Sequence, residues 1–185
     1  MMKKKYFFLW TMLTAFLFTS CEQGPTLQTY FVQKMEDPAF LIVNLPFKLD
    51  NLLKDDLTQD EQEALAGVGK LNLLFYRFKE EREANYKMEL NQINTILENK
   101  KYQHLMNFKA FDKGQGKLLF EGETDRIEEG IVFVNAKKMG FGVLRILGTN
   151  INPIVLSRLV KKVDPKKLEE ELKSTVGNLG NVYKN

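Results

Sequence analysis

Few residues of the kind that carry chemistry occur in this chain, and their spacing says more than their number. One cysteine, Cys21, and one histidine, His104, stand among 185 residues. An internal disulfide therefore cannot form, and one imidazole cannot make a zinc site alone. The run Gly114-Gln115-Gly116-Lys117 invites a phosphate-loop reading. That loop needs glycine five positions before its second glycine and Ser or Thr after the lysine, where Phe111 and Leu118 stand. A hairpin turn is the expectation there. Asp55, Asp56, Asp60, Glu61 and Glu63 lack the alternating ligand spacing around a turn glycine that a calcium loop requires. They read as a solvated helix start favoured by the helix dipole, and Glu169 to Glu171 as an exposed helix face. His104 falls in phase with Met106, Phe108 and Ala110, the pattern of a core-edge histidine on a strand. A catalytic base would need an orienting partner and a nucleophile, and neither is identified locally. No catalytic residue, metal ligand or cofactor site is assigned.

Arg145 is the residue that the pattern singles out. If the last hairpin pairs Ala136 with Phe141, Arg145 stands opposite Val132 and shares a face with Val134, Val143 and Leu147. An arginine in an apolar stripe must reach water or find an acid. A snorkelling or paired structural arginine is the expectation. The alternative is a guanidinium that grips an anionic ligand or a partner carboxylate. The same pairing puts Asn135 opposite Gly142 on the other face.

Cys21 closes an N-terminal segment with three parts: basic MMKKK, the apolar stretch Tyr6 to Phe18, and the polar pair Thr19-Ser20. The apolar length suits a secretory signal and falls short of the ~20 residues that span a bilayer. Phe18 occupies a position where the general signal peptidase wants a small side chain. Phe18-Thr19-Ser20-Cys21 instead resembles a lipobox, with Phe in place of the more usual Leu. Its cysteine thiol is expected to receive diacylglycerol and its freed amine a further acyl chain; two or more chains make a stable anchor. Only Glu22, Gln23 and Gly24 separate Cys21 from Pro25, a tether of about 10–15 Å when extended. Lys3, Lys4 and Lys5 account for the whole formal net charge of +3, and every acidic residue follows Cys21. The chain after the signal is thus balanced, and nothing in its total charge favours nucleic acid.

The elements that must position these residues are readable from periodicity. Pro25 opens a helix carrying Leu27, Tyr30, Phe31 and Met35, and Asp37-Pro38 ends it. Ala39 to Leu45 reads as a buried strand, and a short helical piece holds Leu49, Leu52 and Leu53. Thr58-Gln59-Asp60-Glu61 is a capping box, and Gly67 or Gly69 stops the helix it starts. Lys70 to Lys79 reads as a strand. Glu80 to Lys100 reads as an amphipathic helix with Tyr86, Leu90, Ile93, Ile96 and Leu97 on one side. Strands follow over His104 to Phe111, Lys117 to Glu121, and two runs flanking Lys137 to Gly140. Asn152-Pro153 caps a helix with Val155, Leu156, Leu159, Val160 and Val163, and Asp164-Pro165 begins a more polar one. The sum is an α+β fold: one domain with a largely antiparallel sheet of about five or six strands and helices on at least one face. The expected division is residues 1–20 signal peptide, 21–25 lipidated tether, 26–163 domain, and 164–185 C-terminal helix and loose tail.

The stretch GQGKLLFEGETDRIEEGIVFVNAKKMGFGVLRILGTNINP resembles the diagnostic part of domain of unknown function 4252, a family of small envelope lipoproteins from Bacteroidota. The carriers are Gly114, Gly116, Ile131 to Val134, Gly140, Phe141, Leu144, Arg145, Gly148, Asn152 and Pro153. The likeness runs from about Leu27 to Val163; Lys138, Met139 and a longer extension beyond Val163 depart from it. It implies a lipoprotein and carries over no catalytic residue.

These readings converge on a protein lipidated at Cys21, exported, and anchored to a cell-envelope membrane facing the periplasm, with the outer membrane or surface as the other location. Glu22 and Gln23 loosely resemble acidic post-cysteine export signals. A non-catalytic module that binds a protein or envelope component beside the membrane is the expectation. An envelope enzyme or carrier acting on a lipid or glycan is the alternative, and a mainly structural lipoprotein is a third reading. Neither a cofactor nor a nucleic-acid partner is expected.

Overall fold

A computed structural model describes residues 24–45, 48–54, 56–110, 114–136, 139–164, 166–168, 170–171 and 174. The signal segment, Cys21, Asp55, Glu169 and most of the tail lie outside them. The elements are α1 (Leu27–Lys34), β1 (Phe40–Asn44), α2 (Gln59–Ala66), β2 (Val68–Arg77), α3 (Glu83–Leu97), β3 (Gln103–Ala110), β4 (Gly114–Gly122), β5 (Ile127–Ala136), β6 (Gly140–Ile151) and α4 (Pro153–Lys162). Short 3-10 turns occupy Leu49–Leu52 and Glu80–Arg82. The six strands form one sheet in the order β1-β2-β6-β5-β4-β3, antiparallel at every pairing. The α+β expectation therefore holds.

β3 to β6 run as a meander, and β6 closes the sheet by pairing with β2. That closure leaves β2 and β3 four inter-strand spacings apart, about 19 Å at ~4.8 Å each. α3 joins them, and its 15 residues span about 22 Å. One amphipathic helix is thus long enough to cross the sheet, and it lays Tyr86, Ile93, Ile96 and Leu97 on the strands beneath. α1 lies on the same face with Leu27, Tyr30 and Phe31. The sheet answers with Leu74, Tyr76, Leu119, Ile131, Phe133, Phe141 and Val143. Tyr76 and Phe141 stack with ring centroids 5.4 Å apart. The opposite face packs Leu71, Leu118, Phe120 and Ile146 against Leu49, Leu52 and Leu156.

Two helix starts follow the signals read from the sequence, and one does not. Asn152 Oδ1 accepts from the amides of Ile154 and Val155, with Pro153 in the first turn. Thr58 and Glu61 form the capping box of α2. α1 begins at Leu27 rather than at Pro25, because Thr26 and Thr29 form a capping box of their own. That start leaves Met35, expected on the buried side, as the exposed cap residue.

Four further expectations are corrected. The β5–β6 hairpin pairs Ala136 with Gly140, not with Phe141. Its loop is three residues because Gly140 adopts φ +119°, and a β-carbon there would lie 1.8 Å from the Tyr76 carbonyl oxygen. Arg145 accordingly stands opposite Ile131, and Asn135 opposite Phe141 on Arg145's own face. Gly114 and Gly116 lie within β4 rather than in a turn. Gly116 provides the space for the Phe108 ring, which a β-carbon would meet at 2.3 Å. His104 does not share the Met106 face. A bulge between them pairs His104 with Leu119 and Met106 with Leu118, and His104 is exposed with Nε2 3.0 Å from Asn107 Oδ1.

The acidic cluster is only partly solvated. Glu61 is buried, accepts from the Thr58 amide at 2.9 Å and pairs with Lys162 at 2.8 Å. Asp60 pairs with Arg158, so two acids of α2 clamp two bases of α4. Beneath them Ala64, Val155 and Leu159 pack with Leu53.

Gly140→Ala should destabilise the fold by more than about 2 kcal/mol in urea denaturation, through strained backbone and the clash with Tyr76. Lys162, then the Thr58 amide, holds the Glu61 carboxyl below its usual range. Its contribution is present above the ordinary carboxylate range and fades as pH falls through the lowered value, from about pH 5 downward. Glu61→Gln should therefore lower the melting temperature at neutral pH and flatten its acid limb. An unchanged acid limb would place the acid sensitivity elsewhere.

Candidate ligand cleft beneath the first helix

Arg145 forms part of a cleft of about 920 Å³ between α1 and the end of the sheet that α1 covers. Thr26, Thr29, Val32 and Gln33 supply the helical wall. Lys101, Tyr102, Glu121, Glu129 and Arg145 supply the floor, with exposed Glu128 also lining it.

Alternation fixes the floor. In β5, Glu129, Ile131 and Phe133 share one face; in β6, Phe141, Val143, Arg145 and Leu147 share it. With Arg145 opposite Ile131, Glu129 is its diagonal neighbour, within reach of a long side chain. The two form a fork: Arg145 Nε donates to Glu129 Oε1 at 2.6 Å and Nη2 to Oε2 at 3.0 Å. Both side chains are 9% exposed. Burial works against the guanidinium's charge, but the fork outweighs it and holds the arginine's pKa above its ordinary value. Phe31 of α1 lies over the guanidinium, 5.3 Å from its ring centre. Of the two roles weighed for Arg145, the structure gives it the paired one, on the floor of a cleft. The Asn72 side chain, on the strand position across from Arg145, has a buried Oδ1 without a hydrogen-bond partner among the described residues.

A second ion pair lies beside the first. Glu121 is the cross-strand partner of Glu129, and like charges placed so are unfavourable unless each is neutralised. Lys101 Nζ contacts both Glu121 oxygens at 3.0–3.1 Å and lies 4.7 Å from the Tyr102 ring centre. The bond to Glu121 outweighs burial and raises the lysine's pKa. Two adjacent carboxylates would suit acid–base chemistry if their oxygens were open to a substrate. Here all four oxygens are engaged by cations, and the arrangement builds a fixed polar floor.

The wall is held as firmly. Tyr102 Oη accepts from the Leu27 amide at 3.0 Å, satisfying one of the exposed donors at the start of α1. Farther along, Tyr30 Oη donates to Glu89 Oε2 at 2.9 Å and Lys34 Nζ to Glu89 Oε1 at 2.5 Å. Burial, then the Glu89 carboxylate, pushes the Tyr30 phenol far above its ordinary pKa, so it stays a donor. Tyr86 Oη meets Asn135 Oδ1 at 2.6 Å.

Sequence reasoning found Arg145 but missed Glu129, Lys101, Glu121, Tyr102 and Glu89. The Glu129-Ile131-Phe133 alternation carried the sign of an acid on the arginine's face, and only the correct hairpin register converts it into a contact. Cys21 lies outside the described residues. Among those described, no helix is long and apolar enough to cross a membrane, and no three His, Cys, Asp or Glu side chains gather as a metal site.

Glu129→Gln leaves a guanidinium buried without its countercharge and should cost about 3–5 kcal/mol in urea denaturation, whereas Glu129→Leu with Arg145→Met should recover most of that loss. Equal losses in the single and double variants would show that packing, not the stranded charge, sets the cost.

Residues 30–159 match the family described as "Domain of unknown function (DUF4252)". No curated protein and no solved structure matches the chain.

Proposed function

We infer that this chain, which belongs to the family described as Domain of unknown function (DUF4252), is a lipid-anchored binding module of the cell envelope. One observation carries the reading: the wall of the cleft begins where the tether ends. Thr26 caps α1 and lines the cleft, and four residues separate it from Cys21, a span of at most about 17 Å when extended. An acyl anchor on Cys21 therefore keeps the cleft next to the headgroups. Its occupant is a protein segment or envelope component held beside the same membrane.

The chemistry of the cleft supports binding over turnover. Its two cations, Lys101 and Arg145, are each joined to a glutamate of the fold. The floor recognises an occupant by shape and hydrogen bonding, not by surrendering a proton. Among the described residues, three carboxylates against two cations leave the lining with one negative charge in excess. That balance, with exposed Val32 at the mouth, favours a segment carrying an apolar contact and a cation.

Cross-linking in native membranes, followed by mass spectrometry, tests the reading with Cys21→Ser as the unanchored control and Val32→Asp as the altered cleft. One partner captured near stoichiometry and lost in both variants is the expected result. An empty capture from anchored protein, or a capture indifferent to Val32→Asp, would overturn it.

A further inference from the structure

The sheet face opposite α1 and α3 carries a second, chemically different hollow. The register places two apolar rows across all six strands. One runs Val43, Leu73, Leu144, Val132, Leu118, Met106, and the next runs Leu41, Phe75, Gly142, Val134, Gly116, Phe108. Among the described residues α4 and the Leu49–Leu52 turn lie over Leu71, Leu118, Phe120 and Ile146 on this face, and Leu73, Leu144, Val132, Met106 and Phe108 pack against that cluster only in part. Beyond that cover Leu73, Phe75, Val132, Val134, Leu144, Met106 and Phe108 stay half-buried.

At the edge of the cover the surface becomes concave. A hollow of about 430 Å³ has Val132, Val134 and Leu144 as its floor and Phe108, Leu52 and Leu168 among its walls. That volume lies toward the lower end of ligand pockets, roughly 300–1,000 Å³. It admits one flexible chain more readily than the pair that a diacyl lipid carries. Among the described residues the charged ones that line it are Lys109 and Lys161, both exposed; alternation along β3 turns the Lys109 side chain to the other face, which leaves Lys161 as the cation at the rim. An apolar trough with a cation at its rim is complementary to an amphiphile with one tail and an anionic head.

We propose that this hollow binds one long-chain fatty acid, its chain on Val132, Val134 and Leu144 and its carboxylate at Lys161. The site lies on the face of the sheet opposite the Arg145 cleft and does not depend on the partner inferred for that cleft. It also gives the half-buried valines and leucines an occupant that the helices do not supply.

The test is displacement of the fluorescent fatty acid cis-parinaric acid from the full mature chain by palmitate, with hexadecanol as the uncharged comparison. Saturable one-to-one displacement by palmitate, with hexadecanol weaker, is the expected result. Val134→Trp fills the floor and should weaken palmitate about tenfold or more. Lys161→Glu, at the exposed rim, should weaken palmitate while leaving hexadecanol unchanged. Melting curves identify a variant that has lost its fold, and Val134→Thr then repeats the floor test with a side chain of the same shape. Equal affinity for palmitate and hexadecanol would overturn the assignment of the head group. A probe that does not bind the wild-type protein would overturn the site.

Discussion

The register between β5 and β6 is the constraint on which both surfaces depend. Strand side chains alternate with a period of two, so a slip of one residue exchanges the faces of an entire strand. The three-residue loop closed by Gly140 fixes the pairing at Ala136 and Gly140. From it follows the diagonal placement of Glu129 beside Arg145 under α1. The same register sends Val132, Val134 and Leu144 to the opposite face. With the longer loop read from sequence, Arg145 would stand against Val132 and the fork with Glu129 would not exist.

Around that register the fold distributes its polar groups unevenly. The face covered by α1 and α3 holds the buried acids Glu89 and Glu129, and each is joined to a cation. Buried ion pairs of this kind add little net stability, because removing two charges from water offsets most of their attraction. What they supply is position. Glu89 ties α1 to α3 through Tyr30 and Lys34, and Tyr102 fixes the first turn of α1, so the helical wall of the cleft cannot shift without exposing partners. The opposite face contains apolar side chains almost throughout, and its shape is set by where helical cover stops.

The elements themselves were evident from the residues. Capping at Asn152 and at Thr58 with Glu61, the stripe Tyr86-Ile93-Ile96-Leu97 and the apolar strand runs all depend on local chemistry, and each was found where it was expected. What failed were quantities set between elements. The hairpin register depended on Gly140's left-handed backbone. The place of His104 depended on a bulge, and the role of Gly116 on a ring from the neighbouring strand. Glu61 looked solvated because its partner Lys162 lies 101 residues away. The candidate cleft was visible only as one arginine out of keeping with its stripe, since its other members become neighbours only when β4, β5 and β6 are aligned.

The bulge that turns His104 away has a further effect, because β3 is the last strand of the sheet. An edge strand exposes a row of amides and carbonyls that can template pairing with a strand from another molecule. Interrupting the ladder between His104 and Met106 breaks that row into shorter pieces and increases the local twist. Exposed Lys109 then places a charge where a second strand would have to lie flat. The irregularity therefore guards the open edge against self-association, and it does so beside a face whose apolar rows would otherwise reward it.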